Sequence, residues 1–150
     1  MDQLKLQNQI CFPFYVTSRL ITRAYQPFLD ELGITYPQYL VMLVLWEKDG
    51  VSVNDITEKL ILNTNTITPL LKRMETLGLI TRSRSREDER KVIIKLTDTG
   101  AQMKDAAASI PEKLMAQVSP HDVNIEELVA MKIQLQNWID FLKSKEKEEA

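Results

Sequence analysis

Residues 63–78 have the sequence Asn63-Thr-Asn-Thr-Ile-Thr-Pro-Leu-Leu-Lys-Arg-Met-Glu-Thr-Leu-Gly78, and this segment is the most informative about the fold. Its apolar residues recur at three- and four-residue spacing, which predicts a helix with one face against a core. That face consists of Ile67, Leu70, Leu71, Met74 and Leu77. Asn63 is a predicted N-cap, and Gly78 stands where a helix ends. Pro69 lies near the first turn if the helix starts at Asn65, and an earlier start predicts a kink.

The opposite face of this predicted helix carries side chains that suit contact with DNA bases. Small hydrogen-bonding groups near a helix start, followed by cations, are typical of a helix whose N-terminal end enters the major groove. The candidates for DNA contact are Thr64, Asn65, Thr66, Thr68, Lys72 and Arg73. Alone, the same pattern also fits an amphipathic surface helix, so the neighbouring segments decide between the two.

The preceding segment predicts a second, shorter helix. Ser52 and Asp55 have the spacing of a capping pair for a helix from Val53 to about Leu60. Residues 61–63 then form a turn into the helix described above. Two short helices joined in this way make a helix-turn-helix.

The following segment predicts a β-hairpin wing, with strands over residues 79–83 and 91–96. Residues 72–95 carry eight cations against four anions, whereas the whole chain has a net charge of −2. A basic patch on an otherwise acidic protein favours DNA binding. The arginines of the wing are candidates for backbone and minor-groove contact, although a solubilising hairpin tip has the same composition. They are Arg84, Arg86 and Arg90.

The N-terminal part predicts a long helix over residues 5–32, ended by Gly33. Pro13 either bends this helix or marks the beginning of its regular part. In the second case Cys11 lies at a helix N-terminus, where the dipole favours a thiolate. A capping box at Thr35 and Gln38 then starts a nearly all-apolar helix to about Lys48, which we expect at the centre of the fold.

The C-terminal part predicts a helix from Thr97 to about Gln117, bent at Pro111, and a last helix over residues 124–146. The first and last helices hold more apolar surface than a winged core of about 65 residues covers. We therefore expect a homodimer, whose recognition helices would lie about 34 Å apart and read an inverted repeat in double-stranded DNA.

Length and composition exclude several classes of protein. The longest apolar run, Tyr39 to Trp46, is too short to cross a bilayer, and the N-terminus has no signal-peptide pattern, so we expect a cytoplasmic protein with no membrane partner. A single cysteine excludes an intramolecular disulfide and a zinc site of cysteines. The single histidine, His121, is interpreted as a surface residue. No metal site and no cofactor are expected.

The order of elements resembles that of the MarR family of bacterial transcription regulators. The motif Asp88-Glu-Arg90, followed by Leu96-Thr97-x-x-Gly100, carries the resemblance, which extends over the whole chain. It implies a mainly α fold, a winged helix-turn-helix with a two-stranded β wing and terminal dimerisation helices. Residues 1–150 would form one domain, with residues 33–100 as its DNA-binding core and residues 1–32 and 101–150 for dimerisation.

The N-terminal third is similar to a subfamily, the organic hydroperoxide resistance repressors. Residues 63–73 also fit that subfamily, although some members have Asp-Ser-Gly at positions 63–65, which leaves the operator sequence open. The segments that carry the similarity are Cys11-Phe-Pro-Phe-Tyr15, Thr22-Arg-Ala-Tyr-Gln-Pro27 and Leu32-Gly-Ile-Thr-Tyr-Pro-Gln-Tyr-Leu-Val-Met-Leu-Val-Leu-Trp-Glu47.

This resemblance implies a role for individual residues. Cys11 would sense peroxide, and Tyr25 and Tyr36 of the partner subunit would donate hydrogen bonds to its thiolate. Arg90 would enter the minor groove, held by Asp88. The chain has no second cysteine in its C-terminal half, so it resembles the one-cysteine type.

The chemistry is consistent with that role. A thiolate attacks an organic hydroperoxide and becomes a sulfenic acid, which without a second thiol condenses with a small cellular thiol or overoxidises. Either product would disturb contacts between the two first helices and release the operator. Two alternatives stay open: a MarR-type regulator released by an aromatic or fatty ligand, and an enzyme that uses Cys11 as a thiol peroxidase. No peroxidase motif supports the enzyme, so the chain is interpreted as a repressor.

Overall fold

The computed structural model describes residues 1–118 and 124–148, and it divides into units of Met1–Leu114 and Met115–Ala150. Short 3-10 turns at Asp2–Leu4 and Leu6–Asn8 precede the first helix. The remaining elements are listed in chain order: α1 Cys11–Leu32, α2 Tyr36–Glu47, β1 Val51–Ser52, α3 Val53–Leu60, α4 Thr64–Thr76, β2 Ile80–Arg84, β3 Val92–Leu96, α5 Asp98–Ala107, α6 Ile110–Val118 and α7 Ile125–Glu148.

The helix starts confirm the predicted caps. The Asn63 carboxamide oxygen accepts a hydrogen bond from the Thr66 backbone N–H at 2.9 Å, which fixes the start of α4. Ser52 and Asp55 form the capping box of α3, and Thr35 and Gln38 form that of α2. Between α3 and α4, Ile61 has a φ of 53°, in the left-handed region that β-branched residues rarely adopt. This residue makes the turn of the helix-turn-helix.

The core of the first unit surrounds α2. Buried side chains of α2, among them Met42 and Leu45, pack with residues from the helices on either side. The α4 stripe contributes Ile67, Leu71 and Met74, as predicted, but Leu77 is 51% exposed and does not belong to the core. It is the C-cap residue of α4, where the chain already turns away from the helix axis towards β2.

The wing sheet has three antiparallel strands in the order β1-β3-β2, so the prediction of two strands was incomplete. Val51 pairs with Ile94 and Ile80 pairs with Leu96. Strand β1 has only two residues, and its second residue, Ser52, is also the N-cap of α3. A strand this short has no alternating pattern, and the capping signal at Ser52 masked it.

Two predicted helix boundaries need correction, and each involves a proline. Helix α1 begins at Cys11, not at residue 5, and Pro13 lies in its first turn, where a missing N–H costs little. The helix predicted from Thr97 to Gln117 is two helices that break before Pro111, which occupies the first turn of α6. Helix α4 begins at Thr64, directly after its predicted N-cap Asn63, so the earlier of the two starts left open is the correct one. Pro69 lies inside this helix and cannot donate to the Asn65 carbonyl.

The second unit contains α7, Ile125–Glu148, which confirms the predicted last helix. His121 and the preceding Ser119-Pro120 lie outside the described residues. Among the helices that the structure describes, none is both long and apolar enough to cross a membrane.

The first turn of α5 rests directly on the start of β2. A Cβ atom at Gly100 would lie 2.1 Å from the backbone oxygen of Leu79. We expect Gly100→Ala to lower the free energy of unfolding by about 1–3 kcal/mol, because the backbone must shift to relieve the overlap. Urea unfolding of the purified protein measures this change. The exposed Gln102 in the same helix is the control, and Gln102→Ala is expected to stay within about 0.5 kcal/mol.

Candidate DNA interface and redox site

The N-terminal half of α4 presents the predicted base-contacting residues on an exposed surface. Thr64, Asn65 and Thr66 are exposed, Thr68 is half-buried, and Lys72 and Arg73 are exposed further along the helix. The Thr66 hydroxyl donates to the Asn63 side chain at 2.9 Å, so its oxygen is left to accept a hydrogen bond from a base. This half of the helix therefore exposes hydrogen-bond donors and acceptors to solvent.

Hydrogen bonds within the wing tip hold its arginines outward. The backbone N–H of Ser85 donates to the Lys91 carbonyl at 2.8 Å, and that of Lys91 donates to the Asp88 carbonyl at 2.9 Å. The Asp88 carboxylate accepts from the Arg90 backbone N–H at 3.1 Å and lies 3.4 Å from its guanidinium Nε. The Arg90 side chain is 94% exposed, so Asp88 orients it without covering it.

The structure brings Arg90 to the recognition helix but sets the other two wing arginines apart. A cleft of about 230 Å³ between α3, α4 and the wing is lined by Thr64, Thr68 and Arg90, among others. Arg84 and Arg86 line a different concavity. Arg90 thus lies beside the N-terminal half of α4, whereas Arg84 and Arg86 lie elsewhere on the wing.

An ion pair that the sequence analysis missed joins the recognition helix to the wing. Glu75 of α4 accepts hydrogen bonds from Nε of Arg82 at 2.8 Å and from its backbone N–H at 3.2 Å. The Arg82 hydrogen bonds hold the pKa of the Glu75 carboxyl below its usual value. The sequence signal was present as two opposite charges on either side of a glycine turn, but it was counted only towards net charge.

Cys11 is a free, exposed thiol and the first residue of α1. Tyr15 follows one turn later on the same helix face, and its hydroxyl accepts a hydrogen bond from Arg19 at 3.5 Å. Tyr15 belongs to the segment Cys11–Tyr15 that carries the subfamily similarity, but no role was predicted for it.

Tyr25 and Tyr36, the predicted thiolate partners, form one aromatic cluster with Tyr39. The ring centroids of Tyr25 and Tyr36 are 4.8 Å apart, and those of Tyr25 and Tyr39 are 5.7 Å apart. Burial raises the pKa of all three phenols, and the neighbouring phenols add to it for Tyr25 and Tyr39. Their hydroxyls therefore stay protonated at neutral pH and can donate hydrogen bonds.

Cys11 and Tyr25 lie in the same continuous helix, so the length of that helix separates them. At a helical rise of roughly 1.5 Å per residue, the two are about 21 Å apart along the axis. Cys11 cannot reach the tyrosine cluster of its own chain. Within the part of the chain that the structure describes, no group of histidine, cysteine, aspartate and glutamate side chains could hold a metal ion.

The helix-turn-helix, its basic wing and the capped recognition helix define a winged-helix DNA-binding regulator. The family model for the transcriptional regulator SarA/Rot matches residues 23–107. An organic hydroperoxide resistance transcriptional regulator of Bacillus subtilis is 53% identical over 114 residues, which cover 76% of this chain and 78% of that protein. The chain belongs to this family of transcriptional regulators, in the MarR-type branch of organic hydroperoxide resistance regulators.

Solved structures confirm the fold over nearly the whole chain. Reduced AbfR bound to DNA has a TM-score of 0.78 and 37% identity, covering 95% of this chain and 97% of that chain. Overoxidised AbfR bound to DNA has a TM-score of 0.76 and 38% identity, covering 94% and 97%. AbfR is a protein of Staphylococcus epidermidis. The expected winged helix-turn-helix architecture is therefore confirmed.

Because the half-buried Glu75–Arg82 pair joins α4 to β2, we expect Glu75→Gln to weaken operator binding by up to about fivefold, the range of an ion pair at a protein surface. Loss of a negative charge near DNA would by itself strengthen binding. The sign of the change in affinity therefore distinguishes the two effects. Fluorescence anisotropy with a labelled operator measures it, and Glu58→Gln, an exposed acid of α3, is the control. If both variants bind more tightly, the pair has no positioning role.

Proposed function

We propose that this chain is a homodimeric repressor that leaves its operator when an organic hydroperoxide oxidises Cys11. One observation carries the proposal. An exposed thiol lies at one end of α1, and a cluster of protonated phenols lies at the other end, about 21 Å away. Only a second copy of the chain can bring a thiol and the phenols together.

The exposed apolar surface supports the homodimer. On α1, the exposed apolar residues include Phe12, Phe14, Leu20 and Ile21. Large apolar side chains are also exposed along α7: Ile125, Val129, Met131, Ile133, Leu135, Trp138, Ile139, Phe141 and Leu142. Exposed apolar patches of this extent mark protein interfaces. We assign residues 1–32 and 101–150 to dimerisation and residues 33–100 to DNA binding.

A two-fold axis explains how the two halves of the sensor meet. In an isologous interface each contact occurs twice, so antiparallel α1 helices place each Cys11 beside the partner's tyrosine cluster. Tyr25 and Tyr36 would then donate hydrogen bonds to the thiolate. The same axis sets the two recognition helices about one turn of DNA apart, which suits an inverted repeat.

DNA recognition divides between the helix and the wing. Thr64, Asn65, Thr66 and Thr68 would contact base edges in the major groove, with Lys72 and Arg73 on phosphates. Arg90, oriented by Asp88, would enter the minor groove beside them. Arg84 and Arg86 would add phosphate contacts.

The sensing chemistry needs one peroxide and one small thiol. The Cys11 thiolate attacks the terminal oxygen of the hydroperoxide, the O–O bond breaks, and the alcohol leaves after it takes up a proton. A small cellular thiolate attacks the sulfur of the resulting sulfenic acid and forms a mixed disulfide, and the hydroxide that leaves takes up a proton to become water. Such thiols are abundant in the cytoplasm, where we place the protein. Each switching event consumes one peroxide, so the chain acts as a regulator and not as a peroxidase.

In the mixed disulfide the sulfur of Cys11 is neutral, so it no longer accepts charge-assisted hydrogen bonds from the two phenols. It also adds several atoms to a site enclosed by the tyrosines and the α1 interface. Both effects weaken the contacts that hold the two subunits in register, so the recognition helices leave the spacing that the operator requires.

We expect cumene hydroperoxide with cysteine to lower the operator affinity of the wild type by roughly 5–150-fold, the usual range of allosteric coupling. Cys11→Ser is expected to keep its affinity. Anisotropy measures binding, and mass spectrometry separates the mixed disulfide from the sulfinate. This separation matters because overoxidised AbfR has been crystallised bound to DNA.

The same titration tests the two alternatives. An apolar cleft of about 320 Å³, lined by Tyr39, Leu43, Trp46 and Pro111, among others, favours the ligand-released regulator. If an aromatic or fatty acid releases Cys11→Ser as well as the wild type, the thiol is not the switch. Continuous peroxide consumption in the presence of excess thiol would favour the enzyme.

We expect Tyr25→Phe and Tyr36→Phe to slow the oxidation of Cys11 by about tenfold, because each removes a hydrogen bond to a charged sulfur. The aromatic ring remains, so the reduced variants should bind the operator like the wild type. Stopped-flow mixing with cumene hydroperoxide gives the rate. An unchanged rate in both variants would mean that the phenols do not contact the thiolate.

A further inference from the structure

The tyrosine cluster continues into a second set of contacts that ends at the recognition helix. Tyr39, which is 2% exposed, packs its ring edge-on against Trp46, with centroids 6.2 Å apart. The two residues lie two turns apart on the same face of α2. The aromatic rings from Tyr25 to Trp46 therefore form one continuous packed row.

Trp46 binds α5 through two different groups. Its indole N–H donates to the Gly100 carbonyl at 2.9 Å, and its backbone carbonyl accepts from the Lys104 ammonium at 3.1 Å. The indole bond involves the first turn of α5. A rotation of the Trp46 ring would therefore break this bond or move that turn.

The first turn of α5 is in turn joined to the end of the recognition helix. The Thr97 backbone N–H donates to the Leu79 carbonyl at 3.1 Å, and the Thr97 hydroxyl donates to the Gly78 carbonyl at 2.6 Å. Gly100 lies against the same Leu79 carbonyl, with no room for a Cβ atom. Residues 78 and 79 connect α4 to β2, so a displacement of α5 reaches both DNA-contacting elements.

We infer that Trp46 is a positioning residue that couples the oxidation of Cys11 to the recognition helix through its hydrogen bond to Gly100. The inference rests on the proposed peroxide switch, and it names the contacts that carry the change at Cys11 to the recognition helix. An adduct that displaces Tyr25 or Tyr36 presses on Tyr39, which is buried too completely to yield alone. The displacement passes to Trp46 and, through Gly100, to the 78–79 connection.

The alternative is that Trp46 only stabilises the packing of α2 on α5. In that case its substitution would weaken the fold and reduce DNA binding in both redox states alike. A coupling residue behaves differently. Its substitution leaves the operator affinity of the reduced protein unchanged and diminishes only the difference in affinity between the reduced and the oxidised protein.

Trp46→Phe is the decisive variant because it keeps a ring but removes the indole N–H. We expect its reduced form to bind the operator within about threefold of the wild type and its Cys11 to form the mixed disulfide fully. We expect the loss of affinity on oxidation to shrink at least about fivefold relative to the wild type, within the usual range of allosteric coupling.

Lys59→Gln is the matched control. Lys59 of α3 forms an ion pair at 2.7 Å with Glu47, the residue that follows Trp46. This variant also cuts a link from the end of α2, but to α3 and not to α5. On oxidation, Lys59→Gln is expected to release the operator like the wild type. If Trp46→Phe also releases the operator like the wild type, the inference is overturned. If the oxidised wild type keeps its affinity, the proposed switch fails, and not its transmission alone.

A second measurement covers the case in which Trp46→Phe does not fold. The chain has two tryptophans, so 5-fluorotryptophan labelling gives two ¹⁹F resonances, and Trp138→Phe assigns them. In the wild type without DNA, the Trp46 resonance is expected to shift when the mixed disulfide forms. A Trp46 resonance unchanged in the fully modified protein would overturn the inference.

Discussion

The burial of helix α2 is the constraint on which the rest of the first unit depends. The helix is apolar on nearly every side, and it contacts α1, α3, α4 and α5. Such a helix cannot rotate or leave without exposing large apolar area, which costs about 25 cal/mol for every Å². It therefore holds the helix-turn-helix on one side and the tyrosine cluster on the other in a fixed relation.

Among the residues that the structure describes, Gln38 is the one polar side chain that is buried, and it illustrates how tightly α2 is specified. Gln38 is 5% exposed, and its side-chain oxygen accepts a hydrogen bond from the Thr35 backbone N–H at 2.8 Å. A buried amide without such a partner would destabilise the fold. Here it completes the capping box and fixes the first turn of α2, the turn that carries Tyr36.

The predictable features were those with a local cause. Caps at Asn63, Ser52 and Thr35 follow from side chains that bond to a nearby backbone N–H, and each was found where the sequence indicated. The boundaries near Pro13 and Pro111 were less certain, because a proline tolerates several positions in a first turn. Strand β1 and the Glu75–Arg82 pair escaped prediction because both depend on partners brought close by the hairpin and not on a pattern of neighbouring residues.

Periodicity, capping and residue chemistry are local properties, so they were enough to predict the winged helix-turn-helix, the polar face of α4, the basic wing and the single thiol. The packing of the elements in space was needed to establish that Arg90 lies at the recognition helix while Arg84 and Arg86 do not. It also decided that Tyr25, Tyr36, Tyr39 and Trp46 form one row and that Cys11 lies far from it. These relations join residues from different elements, and their distances arise when the apolar faces of those elements pack around α2.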